Sequence, residues 1–323
     1  MQFFIFSIVL LVTLQKEVLS YKVTSIPMDV PSKVGYSPHW DAEYERLLFA
    51  DQYGQNATIC QFDYRTCKTF CATVVVKWEK DSKTACVTKE IFSLNADDSN
   101  YMDTATADCT GRLYFGTYGT EICGSTANNS LYSYSPKEGV QEVLTGYKSC
   151  FGLAFNADTN KCYFMDTCSY SISELDWCRK TGKLSNSRVI FKFDVAPGAP
   201  SYMPFGLCID SMNNFYSGSY GGGSLLKVKV GGLSGEKGDK CSSVEEIHTP
   251  TMLIGCPTFG GPNMTDIFVT SSTLFLDFNT GKSLNENLEC TKNTFPQAKE
   301  DGSLLKIEQN VLKGVAGTSV SLC

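Results

Sequence analysis

The chain has 323 residues, 42% hydrophobic and 19% charged, with a net charge of -6. That length and composition allow a large apolar core, in two domains or in one long all-β unit. The acidic balance and the lack of a basic cluster argue against a nucleic-acid partner, whose phosphates would demand stripes of Lys and Arg.

The first element is the apolar run Phe3 to Leu14, of the length of a signal h-region and too short to span a bilayer comfortably. Val18 to Ser20 supply small or aliphatic residues at a cleavage position. Residues 1–20 are therefore expected to be a signal peptide and residues 21–323 a single domain; the alternative is a buried first strand. No other long apolar run follows, so a secreted, extracellular protein with no membrane partner is expected.

The next elements repeat. "PHWDAEYERLLFADQ" from Pro38 has an aromatic, Asp41, a polar turn and the strand Leu47 to Asp51. Asn56-Ala-Thr is a glycosylation sequon, and a weaker copy of the repeat runs from Val74 to Leu94. "TADCTGRLYFGTYG" from Thr106 has Asp108 and the strand Leu113 to Phe115, followed by a second sequon at Asn128. "CFGLAFNADTNKCYFMDT" from Cys150 and "PFGLCIDSMNNFYSGSYGGG" from Pro204 share the phrase Phe-Gly-Leu, each with a polar turn (at Asn156 and at Asp210) and an aromatic strand. "GGPNMTDIFVTSS" carries the third sequon at Asn263, then Asp266 and an apolar strand.

These are hairpin signals. From Asp108 through Asn156 and Asp210 to Asp266 they recur every 48 to 56 residues. A period near fifty with about four short strands per unit predicts a β-propeller. Six units fit the length, giving an all-β, six-bladed, disulfide-stabilised propeller; a two-sheet sandwich is the alternative. "GGGS" at Gly221 to Ser224 lacks the Lys and helix of a phosphate loop and reads as a hairpin turn.

Fifteen cysteines fit export, and with only His39 and His248 a His-rich metal site is excluded. Most cysteines are expected in disulfides. Cys162 with Cys178 and Cys67 with Cys86 are candidate local pairs, and the odd count leaves one thiol free or bridging two chains.

The ordered motifs "GYSPHWD", "GRLYFGTYGTE", "FGLAFNADTNKCYFMDTCSYSISELD", "PFGLCID" with "SYGGGSLLKV", and "PTFGGPNMTDIFVTSS" resemble the regucalcin, gluconolactonase and luciferin-regenerating enzyme family. The resemblance covers residues 34 to 274 and implies a six-bladed propeller whose mouth holds one divalent cation for lactone hydrolysis. It places the family's Glu ligand at Tyr36, its Asn at Phe151 and its Asp at Phe205. A further Asn falls at Asp103, a substrate-contacting Arg at Tyr101, and an acidic residue survives as Glu121.

Aromatic rings cannot supply the six or more oxygens that calcium takes. The expectation is thus a pseudoenzyme: no catalytic residue, no metal ligand and no cofactor, with one divalent cation such as calcium as the alternative. Tyr36, Tyr101, Asp103, Glu121, Phe151 and Phe205 would line a mouth for a small aromatic or amine ligand. The opposing reading is that the aromatics merely plug the channel, and a rearranged lactonase site is the enzymatic alternative. The protein is expected to be a monomer.

Overall fold

The computed structural model describes residues 21–26, 28, 34–51, 58–65, 68–73, 100–119, 122–124, 129–194, 202–233, 241–274, 276–277, 282–283, 303–308 and 314. After strand β1 (Lys22–Ile26) the chain builds four-stranded antiparallel meanders in succession. The first blade is β2 (Gly35–Asp41), β3 (Arg46–Asp51), β4 (Thr58–Asp63) and β5 (Lys68–Thr73). The second is β6 (Asn100–Ala107), β7 (Leu113–Gly119), β8 (Asn129–Ser135) and β9 (Gly139–Tyr147). The third is β10 (Cys150–Asn156), β11 (Lys161–Asp166), β12 (Ser171–Trp177) and β13 (Leu184–Lys192). The fourth is β14 (Met203–Ile209), β15 (Phe215–Tyr220), β16 (Ser224–Lys229) and β17 (Ser243–His248). The fifth begins with β18 (Ile254–Gly260) and β19 (Asp266–Ser271). After the short pair β20 (Leu276–Asp277) and β21 (Lys282–Ser283), it is completed by β22 (Leu304–Glu308) and by β1 as its outermost strand.

The recurring acidic or amide residue shapes each hairpin as an Asx turn. Asp108 Oδ1 accepts from the Thr110 and Arg112 amides at 2.8 and 3.1 Å. Asn156 Oδ1 accepts from Asp158 and Thr159 at 2.9 and 3.2 Å. Asp210 Oδ1 accepts from Met212 and Asn214 at 2.8 and 2.9 Å, and Asp41 Oδ1 takes Glu43 and Tyr44 at 3.2 and 3.3 Å. Asp266 differs: it starts β19 and receives Lys306 at 3.2 Å and the Tyr64 hydroxyl at 3.0 Å. "GGGS" is the turn between β15 and β16, with Gly221 and Gly223 at φ 91° and 73°.

In the fourth blade the outermost strand is the exposed one. Every residue of β15 is buried, whereas on β17 only Ile247 is. The core lies mainly between blades. Tyr114, Leu131, Phe164 and Trp177 join the second to the third, and Tyr163, Met165, Phe215 and Leu226 the third to the fourth. Tyr216, Phe259, Ile267 and Leu305 join the fourth to the fifth, and Trp40, Phe49 and Phe268 the fifth to the first.

The described strands correct the expected blade number: there are five four-stranded blades, not six. The innermost strands β2, β6, β10, β14 and β18 already pack into a closed ring. The Ala105 amide donates to Ser37 Oγ at 3.3 Å, which seats β6 directly against β2 and leaves no place for another inner strand between them. The weaker repeat at Val74 to Leu94 lies outside the described residues. Separate sheets around one axis also dispose of the two-sheet sandwich.

One disulfide is described, between Cys123 and Cys168, tying the segment after β7 to the 3-10 turn after β11. The suggested Cys162–Cys178 pair does not form: Cys162 is buried on β11 opposite Leu175, and Cys178 is an exposed free thiol in the next turn. Cys67 and Cys86 lie outside the described residues.

Candidate functional site at the channel mouth

Every inner strand breaks register near its start. The shift falls between Tyr36 and His39 on β2, Met102 and Ala105 on β6, and Cys150 and Gly152 on β10. It falls between Phe205 and Cys208 on β14, and between Ile254 and Pro257 on β18. A bulge bends its strand and re-aims a side chain. This accounts for the repeated Phe-Gly-Leu. A Cβ on Gly152 would lie 2.5 Å from that of Leu207, and one on Gly206 would lie 2.6 Å from Cys256 Cα. Only glycine lets neighbouring inner strands come this close, and the Gly206 φ of 72° adds a backbone reason.

The bulges bring Tyr36, Phe151 and Phe205 together. Phe151 stacks on Phe205 with centroids 4.6 Å apart, and Tyr36 meets them at 5.9 and 5.1 Å. Tyr118 and Tyr220 extend the cluster, at 6.1 Å from Phe151 and 5.3 Å from Phe205. Phe151 and Phe205 are 0% exposed and Tyr36 3%, so the rings form a closed aromatic floor across the channel rather than an open bowl. The Tyr220 hydroxyl is held by the Leu274 carbonyl.

Tyr118 and Tyr220 were not singled out in the sequence. Their signal was there: each ends the second strand of its blade in the phrase Tyr-Gly, at Tyr118-Gly119 and Tyr220-Gly221. Of the other expected mouth residues, Tyr101 stands on β6 opposite Tyr118, and Asp103 lies within the β6 bulge. Glu121 lies outside the described residues, as do Asn56 and Asn128. Asn263 is exposed in the turn between β18 and β19.

The chemistry of this floor is apolar. Its five described rings, Tyr36, Tyr118, Phe151, Phe205 and Tyr220, carry three phenol oxygens as their side-chain donors. Such a set does not fit calcium or magnesium, which take six or more hard oxygen donors. Among the described residues, no group of three or more His, Cys, Asp or Glu is placed to hold a metal ion. His39, where β2 resumes pairing after its bulge, lines the cavity below the floor, and burial lowers its pKa against an opposing pull from Asp41.

Known proteins match along most of the chain. Regucalcin from Xenopus laevis is 26% identical over 314 residues, covering 89% of this chain and 94% of the relative. Human regucalcin is 23% identical over 263 residues, covering 74% and 83%. The structure of luciferin-regenerating enzyme superposes with a TM-score of 0.76 at 21% identity, covering 94% of this chain and 100% of that one. Regucalcin from Agrobacterium tumefaciens, described as a calcium-binding protein, gives 0.70 at 15% identity, covering 92% and 97%. The sequence model of the SMP-30/Gluconolactonase/LRE-like region matches residues 34–273, and the chain belongs to that family.

Proposed function

We propose that this chain is a non-catalytic member of the family, a secreted small-molecule binder whose mouth has exchanged cation chemistry for aromatic chemistry. The observation that carries the reading is the union of Tyr36, Phe151 and Phe205 in one buried cluster. These are the positions at which the resemblance puts a Glu, an Asn and an Asp. A lactone carbonyl needs a Lewis acid or an equivalent dipole at the point where negative charge develops. Three ring faces offer neither.

A ligand at this mouth meets rings from above. A flat apolar molecule gains burial there, and an amine gains cation–π attraction of about 0.5–2 kcal/mol per good contact. Because the rings are already packed, such a ligand either caps the floor or displaces one ring. Export is supported by the leader-like run from Phe3 to Leu14 and by the Cys123–Cys168 bridge.

The deciding experiment is calorimetric titration of the purified chain with calcium, magnesium and zinc, beside a lactone hydrolysis assay. The reading predicts no stoichiometric cation binding and no turnover above background. Stoichiometric calcium binding together with lactone turnover would replace it with a hydrolase using a rearranged site.

A further inference from the structure

Beyond the aromatic floor the channel opens again. A cavity of about 140 Å³ is lined by all five inner strands. It begins one residue past Tyr36 and Phe205, at Ser37 and Gly206, and two past Phe151, at Leu153, and reaches Trp177 and Cys109 at the opposite end of the ring. Four alanines, at 105, 107, 154 and 157, keep it open. Ala105 and Cys109 are exposed, so the cavity communicates with the face away from the mouth.

The lining specifies an occupant. No Asp, Glu, Lys or Arg is among the described residues that line it, so a charged guest would lose its hydration without a counterion. Phe155 and Trp177 supply flat apolar faces. His39 and the hydroxyl-bearing Ser37, Thr104, Thr106 and Thr258 supply hydrogen-bonding groups on the neighbouring strands β18, β2 and β6. Burial lowers the His39 pKa, and a neutral imidazole donates from one nitrogen and accepts at the other. An apolar cavity of about 150 Å³ accepts benzene, so this one is the size of a single six-membered ring.

We propose that this lower channel is a second binding site, distinct from the mouth, for a neutral single-ring molecule carrying a hydroxyl or similar group. The ring lies against Phe155 and Trp177, and its polar group meets His39. This does not depend on the mouth reading: the floor of Tyr36, Phe151 and Phe205 separates the two sites.

The test uses phenol as probe, with benzene as its apolar counterpart, titrated into the full secreted chain by calorimetry. Phenol is expected to bind one site and raise the melting temperature. Ala105→Phe places a ring in the cavity and should abolish that binding with an unchanged circular dichroism spectrum. His39→Leu is the second variant, in case the larger side chain impairs folding. It should weaken phenol by about tenfold, the loss of one hydrogen bond, while leaving benzene unchanged. Failure of phenol to bind overturns the proposal. So does phenol binding that survives Ala105→Phe, which would place the ligand outside this cavity.

Discussion

Phe151 and Phe205 stack at 4.6 Å with an interplanar angle of 27°, one from the third blade and one from the fourth. Both are the first residue of a Phe-Gly-Leu phrase, and both are fully buried. The pair therefore does two things. It closes the channel, and it couples two blades that otherwise meet through their flanking cores. Gly152 and Gly206 make the stack possible by letting the inner strands approach to near backbone contact.

Removing either ring should cost what a large cavity costs. Phe205→Ala is expected to destabilise the protein by about 3–5 kcal/mol, read from denaturant unfolding. The double variant with Phe151→Ala should lose less than the sum of the singles by about 0.5–1.5 kcal/mol, the coupling of an aromatic pair. Strict additivity would mean that the two rings do not act as a unit.

The local grammar of the fold was legible in the sequence. Asp41, Asp108, Asn156 and Asp210 each mark a hairpin because an Asx turn needs that side chain at that place. Phe-Gly-Leu marks the inner-strand bulge for an equally local reason. The blade count was not legible. The fifth blade is assembled from β18, β19, β22 and β1, and β1 pairs with β22 across nearly the whole chain, Lys22 opposite Glu308. No period along the chain reports that closure, and the expected sixth unit rested on the chain length and on the weaker copy from Val74 to Leu94, which lies outside the described residues. The lower cavity was equally silent, because alanines at 105, 107, 154 and 157 form no motif until the blades bring them around one axis. Tyr36, Phe151 and Phe205 were placed at the mouth by the family resemblance, and the Phe-Gly-Leu phrase marks two of them.

The Cys123–Cys168 bridge spans 45 residues and links the second blade to the third beside the floor. Closing a loop of that length restricts the unfolded chain, and replacing both cysteines by serine is expected to cost about 2–4 kcal/mol. Peptide mapping of unreduced protein should recover the two cysteines in one linked fragment. Recovering Cys168 joined to a different cysteine would refute the pairing.

His39 should leave a signature in the pH dependence of stability. Burial is the dominant influence and holds its folded pKa below the ordinary 6.5, with Asp41 opposing. As pH falls through 6.5, the unfolded chain takes up a proton at this residue and the folded chain does not yet follow. Stability is therefore lost between 6.5 and the depressed folded value, and the slope is positive with pH in that window. His39→Leu should remove this segment of the acid limb and leave the carboxylate region, at lower pH, in place. Urea midpoints measured from pH 8 to pH 5 decide it. An unaltered slope in the variant would show that another group carries the loss.

The mouth substitutions make the strongest test of the lost-cation reading, because they can be reversed. Tyr36→Glu, Phe151→Asn and Phe205→Asp together would put three oxygen-bearing side chains on rigid strand ends around one axis, where hard cations are best held. Each change also removes a buried ring, and the carboxylates would repel one another in a poorly hydrated place. The triple variant should therefore be much less stable than the wild type in chelator. It should recover part of that loss with calcium, since a ligand at a hundred times its Kd contributes about 2.7 kcal/mol. That is smaller than the loss of even one large aromatic, so rescue will be partial. Where the triple variant does not fold, Phe205→Asp alone carries the same readout with a smaller shift. The measurement is the melting temperature with chelator, calcium and magnesium, for variant and wild type side by side. A rise with calcium in the variant and none in the wild type supports an exchanged mouth. An equal rise in both would mean that the wild-type chain already holds a cation and that the aromatic floor is not what replaced it.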